Sequence, residues 1–291
     1  MKNILLCLII GVVLVGGGIF LYQNSKENTD PSSVVQSHRS YEVEMVSDLY
    51  NIQPAQVTKV AYKIKDEQGN ILKDFDVVHE RIMHVIVVRK DLQYFQHLHP
   101  EFDKTTGEFF LPVTFATDGE YRMFADFTPN MSQWGPRGER LPVTLFQEVA
   151  VGNRANYKPQ PIGSRERTKT FDGHTITMSQ SAEPLASQND VEFTFEIKKD
   201  GKLVTNLEKY LGALGHTVVL REGDLQFIHA HATQKPADSQ VGKVNFVITF
   251  PEAGNYKLFS QFQHEDKIIT SDFSVSVIDG VKSSPDGTMA H

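Results

Sequence analysis

The residues of this chain most able to do chemistry are histidines. The sequence holds two sets of three with the same internal spacing: His84, His97 and His99 in the first set, and His216, His229 and His231 in the second. The second set follows the first at one constant offset of 132 positions, with no gap. Because most neighbouring positions differ between the two copies, we interpret the three imidazoles as the part that both copies need.

The spacing of these histidines predicts that each set converges on one face of a β-hairpin. In a strand, side chains alternate between faces, so His97 and His99 share a face, about 6.5 to 7 Å apart at the backbone. If the turn around Lys90-Asp91 has an even number of residues, His84 lies opposite His97, about 4.5 to 5.5 Å away. An odd turn would send His84 to the other face. The second copy gives the same expectation.

Three converging imidazoles predict a divalent-metal site, since imidazole suits Cu(II), Zn(II), Ni(II) and Fe(II). By intrinsic affinity, copper ranks first and zinc second. The only cysteine, Cys7, lies in an N-terminal apolar run, so no thiolate is present for a blue-copper centre. The competing interpretation is structural: histidines that cap the end of a sandwich through backbone hydrogen bonds would also be kept in both copies.

The elements around the histidines predict an all-β chain. Short alternating runs rich in Val, Ile, Thr and Phe, separated by turns, recur about seven times per copy and favour two tandem immunoglobulin-like β-sandwich domains. Ahead of each hairpin, apolar residues at i, i+3, i+4 and i+7 predict a short helix, beginning at Phe75 in one copy and at Leu207 in the other. The predicted boundaries are 41–152 for the first sandwich, 153–168 for a linker, and 169–278 for the second sandwich.

The N-terminus predicts a membrane anchor. Ile4 to Tyr22 is continuously apolar apart from small glycines, and as a helix would approach the roughly 30 Å core of a bilayer. Lys2 precedes this run, so the positive-inside tendency places the bulk of the chain outside the cytoplasm. We therefore expect a single-pass transmembrane helix or signal segment at 1–22, a polar tether at 23–40 and a tail at 279–291, with secretion if the first segment is cleaved.

A formal net charge of −7 and a pI near 5.9 leave no broad basic face, which argues against a nucleic-acid partner. The partners expected are a metal ion, the membrane through the N-terminal helix, and an extracytoplasmic metal-handling protein.

Three motifs carry a resemblance to known proteins: His79-Glu-x-x-Met-His84, Asp91-Leu-x-x-Phe-x-His-Leu-His-Pro100, and the stretch from Gly212 to His231. Through them the chain resembles a group of bacterial secreted or anchored proteins with immunoglobulin-like domains, a group similar to copper-resistance and heavy-metal-associated extracytoplasmic domains. The resemblance covers roughly residues 75–127 and 207–262. It implies a location outside the cytoplasm and an immunoglobulin-like fold, and it implies no particular activity.

The sequence therefore predicts a non-enzymatic, membrane-anchored extracytoplasmic protein that acts in metal binding, delivery or resistance. Two alternatives stay open. A metal-dependent hydrolase could use three histidines and an open coordination position, with Glu80 or Asp126 as the base. A plain interaction module would use the histidines structurally. Three other residues are weaker ligand candidates. The second copy has Leu211 at the position equivalent to His79 and Gln261 at the position equivalent to Asp126, so neither candidate repeats. His264 is expected to be a solvated turn residue.

Overall fold

The computed structural model describes residues 40–130, 141–230, 232–233 and 242–280, and for His229 its backbone. The predicted N-terminal helix, nearly all of the tether and most of the tail lie outside these residues. Among the residues described, no helix is long and apolar enough to cross a bilayer. Regular structure in this part of the chain consists of β-strands and one short 3-10 turn at Arg154–Asn156, so the predicted all-β class is confirmed.

In the first half, the strands Val57–Asp66 and Glu108–Thr114 alternate between buried and more exposed side chains, as the sequence pattern predicts. The strands of this half are β1 (Tyr41–Met45), β2 (Val57–Asp66), β3 (His84–Arg89), β4 (Phe95–Leu98), β5 (Glu101–Asp103), β6 (Glu108–Thr114), β7 (Gly119–Phe127) and β8 (Val143–Val151). Two antiparallel sheets result: sheet A has the order β1-β2-β6-β5, and sheet B has the order β4-β3-β7-β8.

The second half repeats this plan with short additions. Its strands are β9 (Thr168–Phe171), β10 (His174–Gln180), β11 (Leu185–Ala186), β12 (Asp190–Lys199), β13 (Lys202–Leu203), β14 (His216–Arg221), β15 (Phe227–Ala230), β16 (Lys243–Thr249), β17 (Gly254–His264) and β18 (Lys267–Ile278). Sheet C has the order β13-β12-β10-β9, with β16 also paired to β12, and sheet D has the order β11-β18-β17-β14-β15.

Each half is a β-sandwich with its own apolar core. Sheets A and B enclose one cluster, in which Phe109 of β6 and Tyr121 of β7 are fully buried. Sheets C and D enclose the other, which includes Phe195 of β12 and Phe273 of β18. The inward residues of alternating strands from two facing sheets form such cores. The domain boundaries predicted from the sequence stay a prediction.

A third apolar cluster joins the two sandwiches through the outer faces of sheets B and D. Its members are Ile86, Val88, Leu92, Phe124, Val218, Leu220, Leu225 and Phe259. The rings of Phe95 and Phe259 stack across it with centroids 4.4 Å apart, and buried Lys257 donates to the carbonyl of Leu92 at 2.9 Å. Five of the six residues of β3 are buried, because both faces of this strand are covered. The two sandwiches accordingly belong to one compact unit.

The turn of the histidine hairpin has an even number of residues, as predicted, but its two strands pair in a different register. β3 pairs with β4 through Val85↔Leu98, Ile86↔His97 and Val88↔Phe95, and the backbone N–H of Arg89 donates to Tyr94. The turn therefore has four residues, an even number, but His97 lies opposite Ile86 and not His84. The predicted pairing of His84 with His97 is wrong by two residues, because the turn is centred on Asp91-Leu92 and not on Lys90-Asp91. The shared face of the histidines survives, since a shift of two preserves alternation.

The helices predicted ahead of the two hairpins are absent from these described segments. Val78 and Arg81 instead pair as a tight β-turn, with N–H···O distances of 2.9 and 3.1 Å. Its central residues, His79 and Glu80, have φ values of 50° and 62°. The second copy has the same turn at Tyr210–Ala213. Left-handed backbone at two successive residues is incompatible with a right-handed helix, and apolar spacing over only eight residues does not separate a helix from such a turn.

Candidate metal centre

His84, His97 and His99 meet at one edge of the face that sheet B turns toward sheet D. His84 opens β3, His97 lies on β4, and His99 follows that strand directly. Nδ1 of His84 is 3.0 Å from Nε2 of His97 and 3.2 Å from Nε2 of His99. One nitrogen from each ring lies within 4.8 Å of the others. The structure thus brings together the whole first set of predicted residues.

The turn ahead of β3 fixes the tautomer of His84. Its Nε2 lies 3.0 Å from the carbonyl oxygen of Val78. A carbonyl only accepts hydrogen bonds, so Nε2 carries the proton and Nδ1 of the neutral ring presents a lone pair. Because His84 is only 5% exposed, this orientation is held by packing as well as by the hydrogen bond.

The second sandwich supplies the residue that orients His97. Nδ1 of His97 is 2.8 Å from Oε1 of Gln261 on β17, and the amide nitrogen of Gln261 donates to Oγ1 of Thr270 at 3.1 Å. His97 therefore donates from Nδ1 and presents a lone pair at Nε2. Partners of this kind on the distal ring nitrogen are what metal-binding histidines use to fix tautomer and orientation.

These assignments leave two lone pairs facing each other, on Nδ1 of His84 and on Nε2 of His97, only 3.0 Å apart. A cation between the rings would relieve their repulsion. Metal–nitrogen bonds of 2.0–2.1 Å place neighbouring ligand nitrogens about 2.9 Å apart at right angles and about 3.3 Å apart in a tetrahedron. The observed separations of 3.0 and 3.2 Å fall between these values, so the donor set fits a divalent metal.

Burial keeps the imidazoles uncharged. Burial, with smaller contributions from His99 and His84, lowers the pKa of His97 to about 2. Burial first, and then His84 and Arg81, lower the pKa of His99 to about 3. Both rings are therefore neutral at physiological pH, which is the protonation state that binds metals.

The second set of predicted ligands is described only in part. His216 opens β14, is 5% exposed, and its Nε2 lies 2.8 Å from the carbonyl of Tyr210, repeating the relation between His84 and Val78. His229 lies on β15 opposite Val218, with only its backbone described. His231 lies outside the described residues. The metal site predicted for the second copy therefore stays a prediction.

Several weaker candidates occupy places that the sequence did not indicate. Asp126 pairs with His84 in the β3–β7 ladder, is 5% exposed, and accepts a hydrogen bond from Thr144 at 3.0 Å. His264 was expected to be solvated, and this is wrong: it is 5% exposed and its Nδ1 lies 2.9 Å from Nε2 of His174. The reason is that β10 packs over the end of the β17–β18 hairpin.

Gln261 contacts the first histidine set, which the sequence did not predict. In the sequence it was noted only as the counterpart of Asp126 in the second copy. The structure gives it a different role, because it reaches across to the other sandwich and contacts His97. The docking of sheets B and D that makes this contact is not encoded in the local alternation of either strand.

Comparisons with solved structures give low scores. The chain is 12% identical to domains 5-6 of the S-layer protein SbsC, with a TM-score of 0.25, covering 84% of this chain and 100% of that one. It is 14% identical to FdeC, an Escherichia coli adhesin, with a TM-score of 0.26 and coverage of 81% and 63%. These likenesses carry no conclusion about fold or function, and they do not support the resemblance to copper-resistance domains. No match is found among curated proteins.

A family model gives the clearer result. It is described as "Domain of unknown function (DUF8832)" and matches residues 36–133 and 169–279, which together make up well over half of the chain. The two matched segments contain the two histidine hairpins. The chain belongs to this family, DUF8832.

Proposed function

We propose that this protein binds a divalent metal through His84, His97 and His99 and acts in metal binding, delivery or resistance. The observation that carries the proposal is the 3.0 Å separation of Nδ1 of His84 and Nε2 of His97, two nitrogens to which the neighbouring hydrogen bonds assign lone pairs. Hydrogen bonds to Val78 and Gln261 hold these rings so that neither can donate to the other. Structural histidines would be expected to donate and accept in alternation.

Copper is the first metal expected and zinc the second. Three imidazole nitrogens without a thiolate suit both ions, and copper binds such sites more tightly. The ring nitrogens that remain, on the distal sides of His84 and His97, are already bonded to backbone and amide oxygens. Three protein ligands leave a further coordination position for water or for a donor from another molecule, as transfer of the ion to a partner protein would require.

The location part of the proposal rests on the sequence. The apolar run from Ile4 to Tyr22 and the preceding Lys2 support a chain held at the membrane with its bulk outside the cytoplasm. There the metal would be exchanged with an extracytoplasmic handling protein.

Titration of the full chain with Cu(II) and Zn(II) tests the proposal. We expect saturable binding that falls by more than about 100-fold in His97→Ala/His99→Ala, since two of three ligands are removed. The variant His229→Ala/His231→Ala tests the second predicted set in the same way. Absence of binding, or binding indifferent to His97→Ala/His99→Ala, would sink the proposal, and a melting temperature unchanged by metal would favour an interaction module.

A metal-dependent hydrolase is the second candidate, and one observation favours it. A cleft of about 850 Å³ is lined by His84, Asp126 and Arg81, so a buried carboxylate adjoins the metal ligands beside a space large enough for a small substrate. Metal-dependent hydrolysis that Asp126→Asn abolishes, with metal affinity retained, would establish this activity.

A further inference from the structure

We infer that His79 of the first sandwich and His216 of the second form a second cation position beside the first, so that the metal centre holds two ions across the sandwich interface. The inference rests on the proposed function and extends it to His79, which belongs to neither predicted set.

The spacing of the rings supports this second position. The ring centroids of His79 and His216 are 4.9 Å apart. In the first site the three centroid separations are 5.2, 5.0 and 4.7 Å. The pair across the interface therefore has the same ring separation as the pairs of the first site. His79 also lies 6.0 Å from His84, and His216 lies 6.5 Å from His97, so the two positions adjoin each other.

The tautomer of His216 supports it as well. Its Nε2 faces the carbonyl oxygen of Tyr210 at 2.8 Å and must donate to it, so Nδ1 presents a lone pair. This is the relation that prepares Nδ1 of His84 as a ligand in the first site. A backbone carbonyl on the distal nitrogen is a common second partner of metal-binding histidines.

The backbone of the turn that carries His79 is in an unfavourable conformation, and the second copy lowers this conformational free energy by using a glycine. Glu80 has φ +62°, whereas the equivalent place in the second copy is Gly212. A left-handed residue other than glycine typically costs on the order of 1 kcal/mol or more and tends to persist at functional sites. Oε1 of Glu80 lies 3.6 Å from where a Cβ on Gly212 would sit, over the turn that anchors His216. Its carboxylate therefore lies against the turn that anchors His216 and adds negative charge beside the second position.

Metal stoichiometry tests the inference. The full-length chain carrying His229→Ala/His231→Ala, which removes the partly described set, is titrated with Cu(II) by native mass spectrometry and calorimetry. We expect two equivalents and an electron paramagnetic resonance spectrum broadened by coupling between neighbouring Cu(II) ions. His79→Leu should leave one equivalent and an uncoupled spectrum. The second copy carries Leu211 in the same turn position with φ 52°, so this variant is compatible with the fold, and circular dichroism verifies it.

Three outcomes separate the claims. If the chain carrying His229→Ala/His231→Ala binds only one equivalent of copper, the second position is overturned while the first stands. The same holds if it binds two equivalents and neither His79→Leu nor His216→Ala changes that number. One weaker equivalent that survives His97→Ala/His99→Ala and disappears with the added His79→Leu would support it. No copper bound in any form removes the proposed function and this inference together. Glu80→Gln, with exposed Glu67→Gln as its control, should weaken only the second equivalent.

Discussion

His84 donates its Nε2 proton to the carbonyl of Val78 across 3.0 Å, and this one hydrogen bond decides which nitrogen faces the other histidines. His216 stands in the same relation to Tyr210. In both copies the carbonyl belongs to the first residue of a tight turn, six positions before the histidine. The turn, and not the strand alone, therefore prepares the ligand.

Substitution by amides tests which nitrogen binds. An asparagine oxygen reaches about the position of Nδ1 and a glutamine oxygen about that of Nε2. Because His84 presents Nδ1 and His97 presents Nε2, His84→Asn should retain about tenfold more copper affinity than His84→Gln, and His97→Gln more than His97→Asn. Competition titration with a chelator of known affinity measures the four values. The opposite order at either position would contradict the tautomers assigned here.

Loss of the hydrogen bond from His97 to Gln261 should weaken the site without removing a ligand. We expect Gln261→Ala to lower metal affinity by about 10- to 100-fold, the range typical of partners on the distal nitrogen. Thr270→Val, which removes only the support for Gln261, should have a smaller effect. Exposed Gln68→Ala is the control. Equal affinities for Gln261→Ala and the parent chain would mean that the second sandwich does not tune the site.

Acid should destabilise the metal-free protein through His97. Its pKa of about 2 keeps it neutral when folded, whereas the unfolded chain binds a proton near pH 6.5. The free energy of unfolding is therefore insensitive to this residue above pH 7 and falls below pH 6.5, by about 1.4 kcal/mol per pH unit. Between pH 7.5 and pH 5.0, urea unfolding in the presence of a chelator should show a loss up to about 2 kcal/mol larger for the parent chain than for His97→Gln. If the free energy of unfolding changes with pH in the same way in both chains, folding does not shield His97 from protonation.

The interface between the sandwiches should couple packing to metal affinity. Phe259 lies in the shared cluster two residues before Gln261 on β17, and Phe273 lies in the core of the second sandwich. Phe259→Leu and Phe273→Leu should each cost about 1–2 kcal/mol of stability. Only Phe259→Leu should also weaken metal binding, because it lets sheet D move relative to His97. Equal metal affinity in both variants would mean that packing at the interface does not affect metal binding.

Much of the site follows from the sequence because it depends on local alternation. The repeat selected His84, His97 and His99, and an even turn placed them on one face, as the structure has them. The pairing partner of His84 was wrong because alternation fixes the face of a residue and leaves the exact centre of the turn open. The helix ahead of the hairpin was wrong because eight residues of apolar spacing also fit the turn at Val78–Arg81.

The remainder depends on contacts between distant parts of the chain. Gln261 is 164 positions from His97, and no spacing rule connects them. One signal was present: Val85 to Val88 is apolar on both strand faces, which is typical of a strand covered on both sides. It indicates a second packing surface on β3 without indicating that sheet D supplies it. His264 was misjudged for the same reason, since its burial comes from His174 on another strand.

X-ray absorption spectroscopy of the full-length chain carrying His229→Ala/His231→Ala, loaded with one equivalent of copper, tests the central claim most directly. We predict outer-shell scattering from three imidazoles, with nitrogens about 2.0 Å from the ion, and loss of two of them in His97→Ala/His99→Ala at the same copper loading. Copper bound without imidazole scattering, or an unchanged spectrum in His97→Ala/His99→Ala, would contradict a metal site at His84, His97 and His99.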